Sequence, residues 1–178
     1  AAIGYPMERF IGNWWSASEP DVRPVGAAAK GYTGATFHAP GAEFPVHRDI
    51  FRYLYDNGKG AGKREAVGEV LYNRGLVNAM LTVEAIRTAM TRYGNKPPTG
   101  EQMRWSLENL KLSARRLEEL GMKNFMHPIE LSCADHEGAG PVLFMAWDGK
   151  NWKIASDWIP VMRDVVRPRL EAAAADTK

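Results

Sequence analysis

The sequence predicts an α/β fold: a parallel strand–helix–strand opening, a long helical middle and a late antiparallel hairpin. Three observations carry this. Tyr32 to His38 (YTGATFH) alternates and is rich in aromatic and β-branched residues, which marks a strand. A 29-residue stretch from Glu65 to Tyr93 places Val67, Val70, Leu71, Val77, Met80, Leu81, Glu84 and Met90 at helical spacing. Two extended runs, 142–147 and 152–158, flank Asp148-Gly149-Lys150-Asn151, where Asp-Gly supplies the positive-φ residues that hairpin turns require.

The remaining elements follow in order. Arg9 to Trp15 (RFIGNWW) reads as a short buried strand. Ser18, three residues before Asp21 and followed by Pro20, starts a helix that runs to Lys30, with Gly31 as its cap. Pro40-Gly41 closes the second strand. Val46 to Asn57 carries Ile50, Phe51, Leu54 and Tyr55 on one side of a helix. Thr99 and Gln102 have capping-box spacing and open a helix through Glu108; a shorter one covers 113–120 and ends at Gly121. Residues 128–132 read as a strand, and 160–174 as a final, Ala-rich helix. Two parallel strands are too few for a doubly wound sheet, so the chain reads as part of something larger.

Composition narrows the function classes. The chain has 178 residues and a formal charge of +2, with its bases single or paired and close to acids, which is no nucleic-acid footprint. One cysteine, Cys133, excludes an internal disulfide. No apolar run is long enough to span a bilayer, and Ala1 to Tyr5 lack the basic and apolar regions of a signal peptide.

Motifs for catalysis and cofactors fail on spacing. In Gly58-Lys59-Gly60-Ala61-Gly62-Lys63 the gap before the Gly-Lys pair is one residue short of a phosphate loop, and Arg64 stands where Ser or Thr belongs. A calcium loop from Asp56 fails because Gly60 occupies a position that should carry an oxygen ligand. His127, Cys133, Asp135 and His136 form a cluster of ligand-type side chains in a loop, where ordinary turn chemistry also accounts for them. A Cys133–His136 nucleophilic pair would lack an orienting group and an oxyanion site. The expectation is therefore a protein that is not an enzyme and takes no cofactor or metal; a small α/β enzyme using Cys133 is the competing reading. The Trp14–Glu19 turn (WWSASE) is the more promising site. It follows the C-terminal end of a strand, where open α/β sheets bind ligands, and it offers two indoles, two hydroxyls and a carboxylate. Trp105, Trp147, Trp152 and Trp158 read as packing residues.

Two stretches resemble the periplasmic binding proteins of the leucine/isoleucine/valine type. The first is Ala28-Ala29-Lys30-Gly31-Tyr32 with Phe37, Pro40-Gly41, Pro45 and Asp49-Ile50. The second is Leu71-Tyr72-Asn73-Arg74-Gly75-Leu76-Val77-Asn78-Ala79-Met80 with Val83-Glu84-Ala85-Ile86. Trp147-Asp148-Gly149 and Trp158 are similar to the family's closing strands. The resemblance implies part of a two-lobed type I periplasmic-binding-protein fold with Rossmann-like parallel sheets, of which this chain is the C-terminal portion. Residues 1–40 would belong to the C-terminal lobe, the helices of 41–96 to the N-terminal lobe, and 97–178, with the hairpin 142–158, to the C-terminal lobe again. The implied function is extracytoplasmic solute binding for an ABC transporter permease, with a ligand-sensing flytrap domain as the alternative. The implied location is the periplasm, after removal of a signal peptide that this chain does not show.

The resemblance also implies site residues. Trp14, Trp15, Ser16 and Glu19 would face the ligand's amino group or its equivalent, and Tyr72, Asn73 and Arg74 would supply an aromatic or polar wall. Groups gripping the ligand carboxylate would come from the other half of the protein. The ligand is expected to be a small carboxylate, a branched-chain amino acid or an aromatic acid. A half-cleft is expected to bind weakly, and the uncovered apolar surface to favour self-association.

Overall fold

The computed structural model describes residues 3–138 and 140–176; Ala1, Ala2, Ala139, Thr177 and Lys178 lie outside the described residues. In chain order the elements are β1 (Ile11–Gly12), α1 (Glu19–Val22), β2 (Thr33–Thr36), α2 (Pro45–Tyr53), α3 (Val70–Tyr93) and α4 (Gly100–Leu107). There follow β3 (Lys111–Leu112), α5 (Ala114–Glu119), β4 (Ile129–Glu130), β5 (Leu143–Trp147), β6 (Trp152–Ile154) and α6 (Arg163–Ala175). A four-stranded sheet has the order β1-β2-β5-β6, with β1 and β2 parallel and the other pairs antiparallel. β3 and β4 form a separate antiparallel ribbon. This is the α/β architecture with a parallel opening and a late hairpin that the sequence predicts.

Local chemistry explains most boundaries. The hairpin turn forms as expected: Gly149 has φ +103, and Asp148 Oδ1 accepts the backbone N–H groups of Lys150 (2.8 Å) and Asn151 (2.7 Å). The Thr99–Gln102 capping box is present at the start of α4. Other boundaries differ. The opening strand shrinks to Ile11–Gly12 between 3-10 turns at Met7–Arg9 and Trp14–Ser16, and Phe10 and Ile11 are exposed rather than buried. The helix expected over 18–30 is one α turn, α1, followed by a 3-10 stretch, Arg23–Ala29. Pro24 removes a helical donor, and Gly26 reverses the chain at φ 64. α3 starts at Val70 and not near Glu65, because Gly68 sits at φ +95 with its backbone against Gly41 and Ala42. The ribbon strand β3 is two residues long, too short to leave a pattern in the sequence.

Two cores result. The sheet core joins Ala17, Val22, Ala29, Tyr32, Val70, Met145, Trp147 and Trp152. Close approach here depends on Gly34, where a Cβ would meet Ala17 Cβ at 2.4 Å. The helical core joins Ala39, Met80, Leu110, Leu112, Leu117, Met122, Phe125 and Met126, with Phe44, Val46 and Leu76 packed on it. A boundary at 96/97 runs through this second core, since α3 lies before it and α4, β3, α5 and β4 after it. α6 buries none of its residues and is held by Arg163 on Asp135 and by Arg167, whose Nη2 donates to Ala134 O at 3.0 Å.

Candidate functional site between the two cores

β1 and β2 run parallel, so their C-terminal ends lie side by side. The chain leaves β1 into the Trp14 turn and leaves β2 into Phe37 and His38. Opposite them stands the first half of α3. Between these walls lies a cleft of about 530 Å³, lined by Trp14, Phe37 and His38 on the sheet side and by Arg74, Val77, Asn78 and Leu81 on the helix side. Met126, His127 and Ile129 form a third side, and His136, Glu137 and Pro141 its rim.

Trp14 and Arg74, 60 residues apart, meet across this cleft. Arg74 Nη2 donates to Trp14 O at 2.8 Å, and its guanidinium carbon lies 4.5 Å from the Trp14 ring centroid. Trp14 also packs on Trp15 (centroids 4.1 Å apart) and edge-on against Phe37 (5.7 Å). Among the described residues no carboxylate lies within ion-pair distance of Arg74. Burial lowers its pKa, and Asp21 opposes this at longer range. Asp21 is itself occupied, because its Oδ2 accepts the backbone N–H (2.9 Å) and the hydroxyl (2.6 Å) of Ser18.

The other expected site residues are placed differently. Trp15 is 69% exposed beside Trp14. Ser16 Oγ is 2.8 Å from Tyr32 OH, within the sheet body. Glu19 is buried, and its Oε2 accepts the N–H of Val70 at 2.9 Å, so it caps α3. Burial pushes its carboxyl up, and the Val70 N–H opposes that rise. Asn73 is fully buried: its Nδ2 faces the carbonyls of Ala39 (3.2 Å), Gly41 (2.9 Å) and Gly68 (3.3 Å). Its Oδ1 therefore accepts from His47 Nε2 at 2.7 Å. Tyr72 points to another hollow, beside Tyr55 and the 59–63 loop. The larger hollow, of about 600 Å³, is lined by Glu19, Arg23, Glu69, Lys150 and Trp152 among others; there Arg23 and Glu69 already pair at 2.7 Å.

Sequence reasoning missed Phe37 and His38, although the rule that nominated the turn after β1 applies equally to the end of β2. His38 is buried, stacks on Phe125 at 5.6 Å, and donates from Nδ1 to Ala39 O at 3.1 Å; its Nε2 is enclosed without a partner. Burial pushes its pKa down to about 4, so the ring is neutral at pH 7. The loop cluster resolves into separate contacts. Asp135 Oδ1 accepts from the N–H groups of Glu137 (3.1 Å) and Gly138 (3.3 Å), His127 packs against Trp158, and Cys133 is exposed. Among the described residues no group of three or more His, Cys, Asp or Glu side chains is placed to hold a metal ion.

Comparison with solved structures places this architecture. The chain superposes with a TM-score of 0.65 on a branched-chain amino acid ABC transporter protein from Thermus thermophilus that has valine bound, at 20% identity and covering 87% of this chain and 40% of that one. It superposes with 0.57 on a possible leucine/isoleucine/valine-binding protein from Rhodopirellula baltica, at 14% identity, covering 83% and 35%. This chain has the fold of the type I periplasmic binding proteins. A further structure, described as an ABC transporter permease from the Pseudomonas fluorescens group, matches at TM-score 0.93 and 42% identity, over 99% of this chain and 43% of that one. The chain thus spans less than half the length of each of these proteins. No family profile and no curated protein matches it. Among the described residues, no helix is long and apolar enough to cross a membrane.

Proposed function

We propose that this chain forms two walls of a solute cleft in an extracytoplasmic binding protein that delivers small carboxylates, such as branched-chain amino acids or aromatic acids, to an ABC transporter permease. The observation that carries this reading is the cleft itself. It lies outside the carboxyl ends of two parallel strands and is faced by a helix of the other core, which is the position where α/β sheets take ligands. The periplasmic-binding-protein fold and the apolar and aromatic lining agree with it. In this reading the role is binding and not catalysis, and the periplasm is the site of action. The sheet core belongs to one lobe and the helical core, residues 39–130 in round terms, to the other.

The test is a nuclear magnetic resonance titration of the chain with millimolar amino acids and aromatic acids, read at the indole N–H of Trp14 and the amides of 36–38 and 74–78. Saturable shifts at these positions, lost in Trp14→Ala, are expected. Shifts confined to other surfaces, or none with any of these compounds, would overturn the assignment of the cleft. The exposed apolar residues Phe10 and Ile11 at the β1 edge are expected to make the isolated chain self-associate; a concentration-independent monomer in sedimentation would contradict that.

A further inference from the structure

The first turn of α3 serves both cores. Val70 is fully buried in the sheet core, whereas Met80, about three turns further on, packs in the helical core. Around Val70 a row of three polar contacts ties this turn to residues 14–23 of the sheet core. Arg74 Nη2 donates to Trp14 O at 2.8 Å, Val70 N–H to Glu19 Oε2 at 2.9 Å, and Arg23 Nη2 to Glu69 Oε1 at 2.7 Å. Helical spacing makes the row possible, because positions 70 and 74 stand one above the other with 69 beside them. Asn73, on the same turn, holds the chain that crosses between the cores through the carbonyls of Ala39 and Gly41.

The two ends of the row differ. Trp14 and Arg74 form part of the solute cleft, and Arg23 and Glu69 line the hollow of about 600 Å³. The helical side of that hollow brings Glu43, Glu65 and Glu69; the sheet side brings Arg23, Lys150 and Lys153. Opposite charges therefore meet where the cores meet. The centre of the row is buried, at Val70 and Glu19, but the Arg23 side chain is 53% exposed, so water and salt weaken its pairing. That end can let go without opening either core.

We propose that this row is a latch that holds the two cores closed in the absence of solute, with Arg23–Glu69 as its releasable end. The inference rests on the reading above, in which the cores are two lobes that close on a solute. The other end of the row is a wall of the cleft. The latch therefore sets the fraction of molecules in which both walls are in place, and with it the apparent affinity.

Amide exchange of the solute-free chain tests this. The Val70 N–H is bonded across the cores, whereas the Asn73 N–H is bonded within α3, to Glu69 O at 2.9 Å. The ratio of their exchange rates therefore separates release of the latch from fraying of the helix. Arg23→Glu, which lies outside α3, is expected to raise Val70 exchange relative to Asn73 by roughly fivefold at low ionic strength, and Arg23→Gln by roughly twofold. Added salt is expected to raise the ratio in the parent chain and to leave Arg23→Gln nearly unchanged. The charge swap, Arg23→Glu with Glu69→Arg, is expected to return the ratio toward that of the parent. Circular dichroism checks that each variant is folded. A ratio that does not move in folded Arg23→Glu means a fixed joint, and equal acceleration of Val70 and Asn73 means a fraying helix; either overturns the latch, as does a charge swap that restores nothing. No solute enters this experiment, so its failure leaves the solute-cleft reading to its own titration.

Discussion

The sheet core and the helical core differ in where along the chain they come from. The sheet core joins residues 17–32 to residues 145–152, so β2 and β5 pair across more than 100 residues of intervening chain. The helical core is built from the stretch between them, from Ala39 to Met126, through helices that are neighbours in sequence. Their chemistry differs too. Aromatic rings around Tyr32, Trp147 and Trp152 fill the first, and Leu, Met and Phe125 the second. One core therefore closes around the whole intervening chain, while the other closes within it, where Phe125 returns to His38, Phe44 and His47, and the cleft lies where the two meet.

The sharpest way to break this contrast is to hollow each core separately. Phe125 is fully buried and touched by Phe44, His38 and His47; Phe125→Ala is expected to cost about 4 kcal/mol in chemical denaturation. Amide exchange is expected to accelerate in α3 to α5 before it does in β2 and β5. Met145→Ala, in the sheet, is expected to cost about 3 kcal/mol with the reverse order of exchange. Equal acceleration in both regions in either variant would show a single cooperative unit.

Acid acts on the junction. The pKa of His38 falls from 6.5 to about 4 on folding, so the unfolded chain binds more protons between those values. Stability is then complete above pH 6.5 and lost as pH falls toward 4, by on the order of 3 kcal/mol. His47, lowered by burial against the opposing Asn73 bond, acts with the same sign. Glu19 acts oppositely: its raised pKa means the folded state holds its proton longer, so its contribution declines as pH rises above the ordinary carboxylate range. Denaturation midpoints of the chain and of His38→Gln between pH 4 and 7 measure this, and an unchanged slope in the variant would remove His38 from the account.

Within the helical core, Arg116 clasps Glu84 through Nε (2.9 Å) and Nη2 (2.7 Å), tying α5 to α3 and holding the Glu84 carboxyl below its usual range. Arg116→Ala is expected to cost about 2 kcal/mol, because the buried Glu84 loses its two-point clasp and keeps only Arg87, 3.4 Å away. The smallest effect is expected at the link between the cores. Glu19→Gln keeps an acceptor for Val70 N–H but removes the charge at the start of α3, for a loss of about 1 kcal/mol in the same assay. A loss as large as that of Phe125→Ala would mean that the two cores fold only together.

These comparisons also explain what could be read from the sequence. Elements with local causes were legible: the Asp-Gly hairpin, the Thr99 capping box and the periodicity of α3 all act within a few residues. The helix expected over 18–30 is cut short because Ser18 and Pro20 signal a start while Pro24 and Gly26, further on, forbid its continuation. In the site, Trp14 was legible from its place after a strand and Arg74 from the family resemblance. Their stacking was not, since no spacing rule links residues 60 apart. Asn73 and Glu19 carry polar groups that suit a ligand equally well. Only the fold shows that the backbone takes them, at three carbonyls and at one N–H.

That last N–H has a consequence for the longest helix. The residue before α3, Glu69, offers its first turn no side-chain cap; the acceptor comes instead from Glu19, 51 positions before Val70. The cap of α3 is thus written outside α3. A peptide of residues 65–93, or a graft of that segment into another scaffold, carries the periodicity of the helix and the break at Gly68 without the acceptor for its first N–H, and its first turn is expected to fray until a carboxylate is placed opposite Val70.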